Sequence, residues 1–307
     1  MDIGIWGMGR MGFNMARRLS DKGDHRVIVG NRSPGKVDEA VESFGAEAAY
    51  SVEEFVGKQS SSPRVLLTML PAGDVTDDMI QEFMKHADEG DIIIDGANSY
   101  FRDSVARARE VRNAGFKWLD AGVSGGIWGY DVGYCTMIGG DREAFEHVEP
   151  AFQTLAPANG YAYLGDAGAG HFAKMVHNGV EYGMMQAYAE GFEILQKSRY
   201  DYDLRAVSSL WNQGSVVRSW LLELAEAAFE KDANLDSVRG YVEDSGEGRW
   251  TVMEAIHEDV PAATIAGSLF ARFASRQDDS FAMKVLAALR GQFGGHAIKE
   301  AATKSEK

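Results

Sequence analysis

Asp2-Ile-Gly-Ile-Trp6-Gly7-Met8-Gly9-Arg10-Met11-Gly12 is the stretch that decides the fold. Asp2 to Trp6 reads as a strand, and it runs straight into glycines at the G-x-G-x-x-G spacing and then into a helix. In that context each glycine has a mechanical task. The first allows the tight turn, the second lets backbone approach a pyrophosphate at a helix N-terminus, and the third permits close helix packing. Gly7, Met8, Gly9, Arg10, Met11 and Gly12 are therefore cofactor-binding candidates, with a ligand-free Gly-rich turn as the alternative.

Outward from this turn, strand-like runs at Asp2 to Trp6, Arg26 to Val29, Val65 to Met69, Ile92 to Asp95 and Trp118 to Ala121 alternate with helical stretches. Met11 to Leu19, Val75 to His86 and Asp103 to Asn113 are long enough to cross over a sheet. The pattern predicts an α/β domain, a doubly wound parallel (Rossmann) sheet covered on both faces. After Gly170 strand signals stop. A long Ala/Met/Glu-rich segment to Ser198 opens an all-α helical half with only Pro261 as an internal breaker. The boundary is expected near Ala167, giving a dinucleotide-binding domain over 1–166 and a helical substrate and oligomerisation domain over 167–307. A polar tail from Ala301 to Lys307 is expected to fray.

At the end of the second strand an NAD site normally offers a carboxylate to the ribose 2'-hydroxyl. Here the chain reads Asn31-Arg32-Ser33, with Lys36 following. A guanidinium beside a hydroxyl and an ammonium suits a 2'-phosphate, which points to NADP. NAD remains the alternative if Arg32 and Lys36 are solvated residues at a helix start. Met69, Leu70 and Pro71, where the third of these strands ends, are counted with the cofactor site, as is Asn98.

Composition excludes several function classes. The chain has 307 residues and is 45% hydrophobic, enough for a full-sized core in two domains. Cys135 is the single cysteine, so neither an internal disulfide nor a cysteine zinc cage can form, and no metal is expected. The start of the chain shows no basic leader and no later run approaches ~18 apolar residues, so a soluble cytoplasmic protein is expected. The formal charge of -15 repels nucleic acids and anionic membranes. It fits an ordinary acidic protein or adaptation to a salty cytoplasm equally well.

Lys174-Met-Val-His177-Asn178-Gly-Val-Glu181-Tyr182 places polar side chains at i, i+3, i+4, i+7 and i+8, on one helix face with Gly170 and Gln186 close to its ends. Such a stripe in place of an apolar seam implies a helix lining a polar cavity, with a solvated, salt-bridged face as the other reading. Ligands of doubly wound sheets bind beyond the carboxyl ends of the strands. Two turns lie there, Asp95-Gly-Ala-Asn98-Ser99 and Gly122-Val-Ser124-Gly125-Gly126. The two glycines expose backbone N–H groups able to bind a carboxylate, whereas Asn98 and Ser124 also suit ordinary turns.

On these segments the chain resembles 6-phosphogluconate dehydrogenases of the short type, within the beta-hydroxyacid dehydrogenase superfamily, along nearly its whole length. The fingerprint with Phe13-Asn14-Met15, the Asn98-Ser99 turn, Ser124-Gly125-Gly126 and, most specifically, His177-Asn178-Gly-Val-Glu181-Tyr182 carry the resemblance. Gly246-Glu-Gly248-Arg249-Trp250 looks like the family's glycine-rich turn, Phe270-Ala-Arg272 like its phosphate-binding arginine, and Arg290-Gly-Gln-Phe293-Gly-Gly-His296 like a tail reaching a neighbouring subunit's site.

The resemblance implies NADP- or NAD-linked oxidative decarboxylation of 6-phosphogluconate to ribulose 5-phosphate, a pentose phosphate pathway step serving gluconate utilisation. It implies Lys174 as base then acid and Glu181 as the proton donor to C1. Asn98, His177 and Asn178 fall on substrate hydroxyls, Ser124, Gly125 and Gly126 on the carboxylate, and Tyr182, Arg272, Arg290 and His296 on the phosphate. The lysine pKa, ~10.4 unperturbed, has to fall by about two or three units for the base role. A homodimer or homotetramer is implied, the tail completing a neighbouring site. Longer members place a Lys and a Thr as phosphate ligands where this chain has Ser245 and Glu247. Glu247 facing a phosphate would repel it, so either Arg249 substitutes or the loop sits differently. The nearest rival is a beta-hydroxyacid dehydrogenase acting on a small acid, and His177, Glu181 and Arg272 argue against it. A catalytically idle NADPH-binding or scaffolding protein would use the same fold.

Overall fold

The computed structural model describes residues 1–294, 297 and 299. His296, expected at a phosphate, lies outside the described residues, as does the tail from Ala301 to Lys307. The chain divides into two compact units, Met1–Asn178 and Gly179–Lys307.

The first unit begins with β1 (Asp2–Trp6), α1 (Arg10–Lys22), β2 (Arg26–Gly30), α2 (Pro34–Phe44), β3 (Glu47–Ala49), α3 (Val52–Gly57) and β4 (Val65–Thr68). It continues with α4 (Asp74–His86), β5 (Ile92–Asp95), α5 (Phe101–Asn113), β6 (Lys117–Ser124), α6 (Gly129–Val132), β7 (Cys135–Gly140), α7 (Arg142–Leu155) and β8 (Tyr161–Gly165). The eight strands lie in the order β3-β2-β1-β4-β5-β6-β7-β8, so the chain reverses direction across the sheet between β1 and β4. Every pair is parallel except β6 with β7, which is antiparallel. The expectation of a parallel sheet thus needs one local correction. Residues 125–134 fold back in a short irregular turn with α6, too short for the helical crossover that a parallel neighbour requires.

Helices cover both faces. Met15, Leu19, Val37, Val148 and Phe152 pack on one side, and Phe55, Ile80, Phe83 and Val111 on the other. β4 and β5 are consequently buried at every residue, the pattern of interior strands in a doubly wound sheet. The edge strand β8 alternates between half-buried and exposed positions.

The turn after β5 is held by a buried polar network. Asp95 accepts hydrogen bonds from Ala97 N–H at 2.9 Å, Ser99 Oγ at 2.8 Å and Arg107 Nη1 at 2.9 Å, and Arg107 also pairs with Asp77 on α4. A buried ion pair of this kind fixes geometry more than it adds net stability.

The helix α8 (Ala169–Gln196) carries the division between the units. The second unit adds α9 (Leu204–Asn212), α10 (Trp220–Lys231), α11 (Glu247–His257), α12 (Ala263–Ser275) and α13 (Phe281–Gly294), with no strand among the described residues. Asp203 and Ser219 cap α9 and α10 by accepting from Ala206 N–H and Leu222 N–H. Phe192, Leu222 and Phe229 form the small core beneath them.

Candidate active site

The glycine turn occupies the reversal between β1 and β4, where doubly wound sheets take their ligands. Gly7 has φ 111°, and a Cβ there would lie 2.6 Å from the Met69 carbonyl oxygen, so the turn closes only with glycine. A Cβ on Gly12 would lie 2.0 Å from Gly7 O, whereas at Gly9 it would meet nothing within 4 Å. The turn is packed tight behind and open at its middle glycine, at the N-terminus of α1. That is the shape a dinucleotide pyrophosphate needs, and the residues fit the cofactor.

At the end of β2, Asn31 Oδ1 accepts from Met8 N–H at 3.1 Å and its Nδ2 donates to Ser33 O, so the side chain braces the glycine turn. Arg10, Arg32 and Ser33 are exposed, and Lys36 is engaged by Glu39 at 2.6 Å in a surface ion pair. Of the two cations expected to meet a 2'-phosphate, only Arg32 keeps that assignment without first giving up an ion pair. Met8 is buried, while Met69 and Leu70 are half-buried and Pro71 is exposed.

The first turn of α8 is drawn against the sheet by glycines and a carboxylate. Cβ atoms on Gly170, Gly139 and Gly122 would stand 2.5 Å from Met137 O, 2.7 Å from Gly170 N and 2.4 Å from Lys174 Cβ, respectively. Buried Asp120 accepts from Gly168 N–H and His171 N–H, a negative charge at a helix N-terminus. This close approach seats Lys174 over β6, where only 5% of the residue is exposed. Gly122→Ala is accordingly expected to destabilise the protein by about 1–3 kcal/mol through overpacking and to displace the lysine, as denaturant unfolding and activity together would register.

Around that lysine the first unit gathers several of the expected residues. Lys174 Nζ donates to Asn178 Oδ1 at 2.7 Å, and the same oxygen lies 2.9 Å from His177 Nδ1. An amide oxygen only accepts, so His177 carries a proton on Nδ1, and its Nε2 lies 3.4 Å from Ser124 Oγ. Gly125 and Gly126 have φ of 137° and 54°, and a Cβ on Gly126 would enter open space. Asn98 has φ 52°, and its amide pairs with the Val123 backbone in both directions, Val123 N–H to Oδ1 at 2.8 Å and Nδ2 to Val123 O at 3.2 Å. Asn98 thereby stitches the β5 turn to the end of β6.

The second unit holds the remaining candidates. Tyr182 is 5% exposed, with Gly248 so close that a Cβ there would lie 2.4 Å from its ring. The Arg272 guanidinium stacks 3.5 Å above that ring and donates to Glu243 O at 2.9 Å, while the Tyr182 hydroxyl accepts from Ser245 N–H at 3.3 Å. Buried Glu247 takes a hydrogen bond from Ser245 Oγ. Arg249 binds Asp244 through Nε at 2.7 Å and Nη2 at 3.1 Å, a partner that sequence reasoning did not supply. Glu181 is half-buried on α8 and Arg290 is exposed on α13. No cluster of His, Cys, Asp and Glu that would hold a metal occurs among the described residues.

A glycine cradle at the switch point of a doubly wound sheet, followed by a helical unit, defines a nicotinamide-dinucleotide-binding oxidoreductase. More narrowly, the chain belongs to the 6-phosphogluconate dehydrogenase family. The family model for the NAD binding domain of 6-phosphogluconate dehydrogenase matches residues 2–165, and that for the C-terminal domain matches 170–305. A Bacillus subtilis protein provisionally named a 6-phosphogluconate dehydrogenase is 45% identical over 300 residues, covering 98% of this chain and 100% of the relative. A Haloferax volcanii protein named as an NAD(+)-dependent, decarboxylating 6-phosphogluconate dehydrogenase is 43% identical over 300 residues, covering 97% and 98%. Among solved structures, the Plasmodium falciparum 6-phosphogluconate dehydrogenase, described with NADP+ and with 6-phosphogluconate, aligns with a TM-score of 0.83 at 28% identity. It covers 100% of this chain and 67% of that one.

Proposed function

We propose that the chain oxidises 6-phosphogluconate at C3 and decarboxylates the product to ribulose 5-phosphate. The observation that carries this reading is the polar stripe of α8, with a buried lysine bonded to Asn178 where an apolar seam would otherwise stand. Held at the Gly7–Gly12 turn, a bound nicotinamide cofactor would supply the acceptor for the hydride that leaves C3. Unprotonated Lys174 takes the C3 hydroxyl proton, and the resulting ammonium then bonds the ketone oxygen. That oxygen is the electron sink next to the breaking C1–C2 bond, so carbon dioxide leaves without a metal. Glu181, two turns further along α8, returns a proton to C1 of the enediol. His177 and Asn178 hold substrate hydroxyls, and Ser124 with the Gly125 and Gly126 N–H groups holds the carboxylate. Asn98 shapes the turn beside them. Tyr182 and Arg272 take the phosphate, with Arg290 and His296 supplied by a neighbouring copy.

The test is the near-ultraviolet absorbance of the reduced cofactor with 6-phosphogluconate, at low and high potassium chloride, while carbon dioxide is trapped. Reduction with stoichiometric carbon dioxide supports the proposal. No reduction with either cofactor at any salt concentration ends it.

For the cofactor we favour NADP, because exposed Arg32 stands where no carboxylate is available. Arg32→Ala is expected to lower the NADP to NAD preference in kcat/KM by about 10- to 100-fold, the worth of one charge-assisted contact or slightly more. The Haloferax relative's name favours NAD instead, and a wild-type preference for NAD would decide for that reading.

A homo-oligomer is supported by an open groove of about 740 Å³ lined by Met185, Tyr188, Phe192, Leu224, Leu235 and Val238. Exposed Phe281, Met283, Leu286 and Leu289 on α13 add apolar surface. Activity should therefore vanish on dilution to a sedimentation-verified monomer. A lone cysteine and the absence, among the described residues, of any helix able to cross a membrane suit the cytoplasm.

A further inference from the structure

Three guanidinium groups lie where the start of α11 meets the end of α12. Arg272 lies on Tyr182, while Arg249 and Arg276 flank the Phe273 ring at 4.4 and 5.2 Å. Between the last two sits Asp244, whose side chain is only 4% exposed. It takes Nε and Nη2 of Arg249, and Nη1 of Arg276 at 3.1 Å. The hydrogen bond from Arg249 first, and that from Arg276 with it, hold this carboxyl below its usual range against the cost of burial, so it stays ionised near neutral pH. One carboxylate shared by two arginines leaves a surplus positive charge and locks the two planar forks in orientation. Asp244 occupies only part of each fork, which leaves Nη1 of Arg249 and Nε and Nη2 of Arg276 for other acceptors. Glu247, two residues before Arg249, is buried with its carboxylate on Ser245 Oγ. In a chain of charge -15 such a surplus at one point needs a reason.

We propose that Arg276 and Arg249, oriented by Asp244, are further recognition groups for the phosphate of the substrate, acting beside Arg272 in place of an ammonium. This rests on the function proposed above. The ligand is a phosphate monoester dianion, whose oxygens accept from two planar forks at once. Asp244 is a positioning residue: it touches no substrate and acts by holding the guanidinium planes.

Steady-state kinetics of the full-length protein test this with Arg276→Met and Asp244→Asn. Each is expected to raise KM for 6-phosphogluconate about 10- to 100-fold with kcat within about threefold, and to raise Ki for inorganic phosphate in parallel. Arg276→Lys should recover only part of the loss, because an ammonium cannot reproduce the fork. KM and Ki within about twofold of wild type in Arg276→Met would overturn the proposal, as would a fall in kcat with KM unchanged. Should Arg276→Met not fold, Arg249→Met carries the same comparison. Should wild type not oxidise 6-phosphogluconate at all, the function fails separately, and calorimetric titration with inorganic phosphate decides the site. Binding by wild type that is lost in Arg276→Met upholds it, and equal binding or none overturns it.

Discussion

Lys174→Met should lower kcat/KM for 6-phosphogluconate by about 10³- to 10⁴-fold with the fold intact, because in the proposed mechanism one amine serves as general base and then as general acid. At about 1.4 kcal/mol per decade this is roughly 4–5.5 kcal/mol of lost transition-state stabilisation. The site is built so that the loss appears in chemistry. Lys174 packs against Gly122 and is almost wholly covered, so methionine replaces its stem at similar volume and removes a buried amine that bonds Asn178. Stability should hold or rise, and a thermal melt beside the kinetics separates the two effects. A variant retaining more than about a tenth of wild-type activity would remove the lysine from the proton transfers.

Much of this architecture is visible in the chain before any coordinates, and the parts that are not share physical causes. β1, β4 and β5 are short apolar runs ending in Gly, Pro or Asn turns, and they are interior strands. β3 is only Glu47-Ala-Ala49, without a β-branched residue, and forms because β2 offers it an edge. β7 ends in Gly139-Gly140, which reads as a loop. Those glycines are there because α8 and β6 pass too close for any Cβ. The stripe on α8 was legible because helical periodicity needs no partner to be seen. Partnership was not legible. Spacing cannot reveal that the Asn98 amide is paired with Val123 in both directions, that Asn31 braces the glycine turn, or that Asp244 holds Arg249. The first two join a side chain to backbone and the third joins two side chains, all brought together by the turn of the chain. Asn98 and Asn31 become braces, and Arg249 is held by a carboxylate that it shares with Arg276.

Arg272→Met should cost about 10²- to 10³-fold in kcat/KM, with most of the loss in KM. In the proposed site this stacked, doubly anchored guanidinium takes the phosphate dianion. In the free protein its plane is fixed by the Tyr182 ring at 3.5 Å and by the bond to Glu243 O, so little side-chain freedom remains to be lost on binding. A charge-assisted pair of this sort costs about 2–5 kcal/mol when one partner is truncated, part of it the penalty of leaving the other charge unmatched. The stacking contributes roughly 0.5–2 kcal/mol more, which binding and folding share. Arg272→Lys separates charge from geometry: the ammonium keeps attraction at a distance but loses both the fork and the flat contact with Tyr182. If lysine restored the full KM, only charge would matter at this position. If neither substitution moved KM by more than about threefold, the phosphate would be bound elsewhere, and the reading of α12 as a phosphate-facing helix would fall with it.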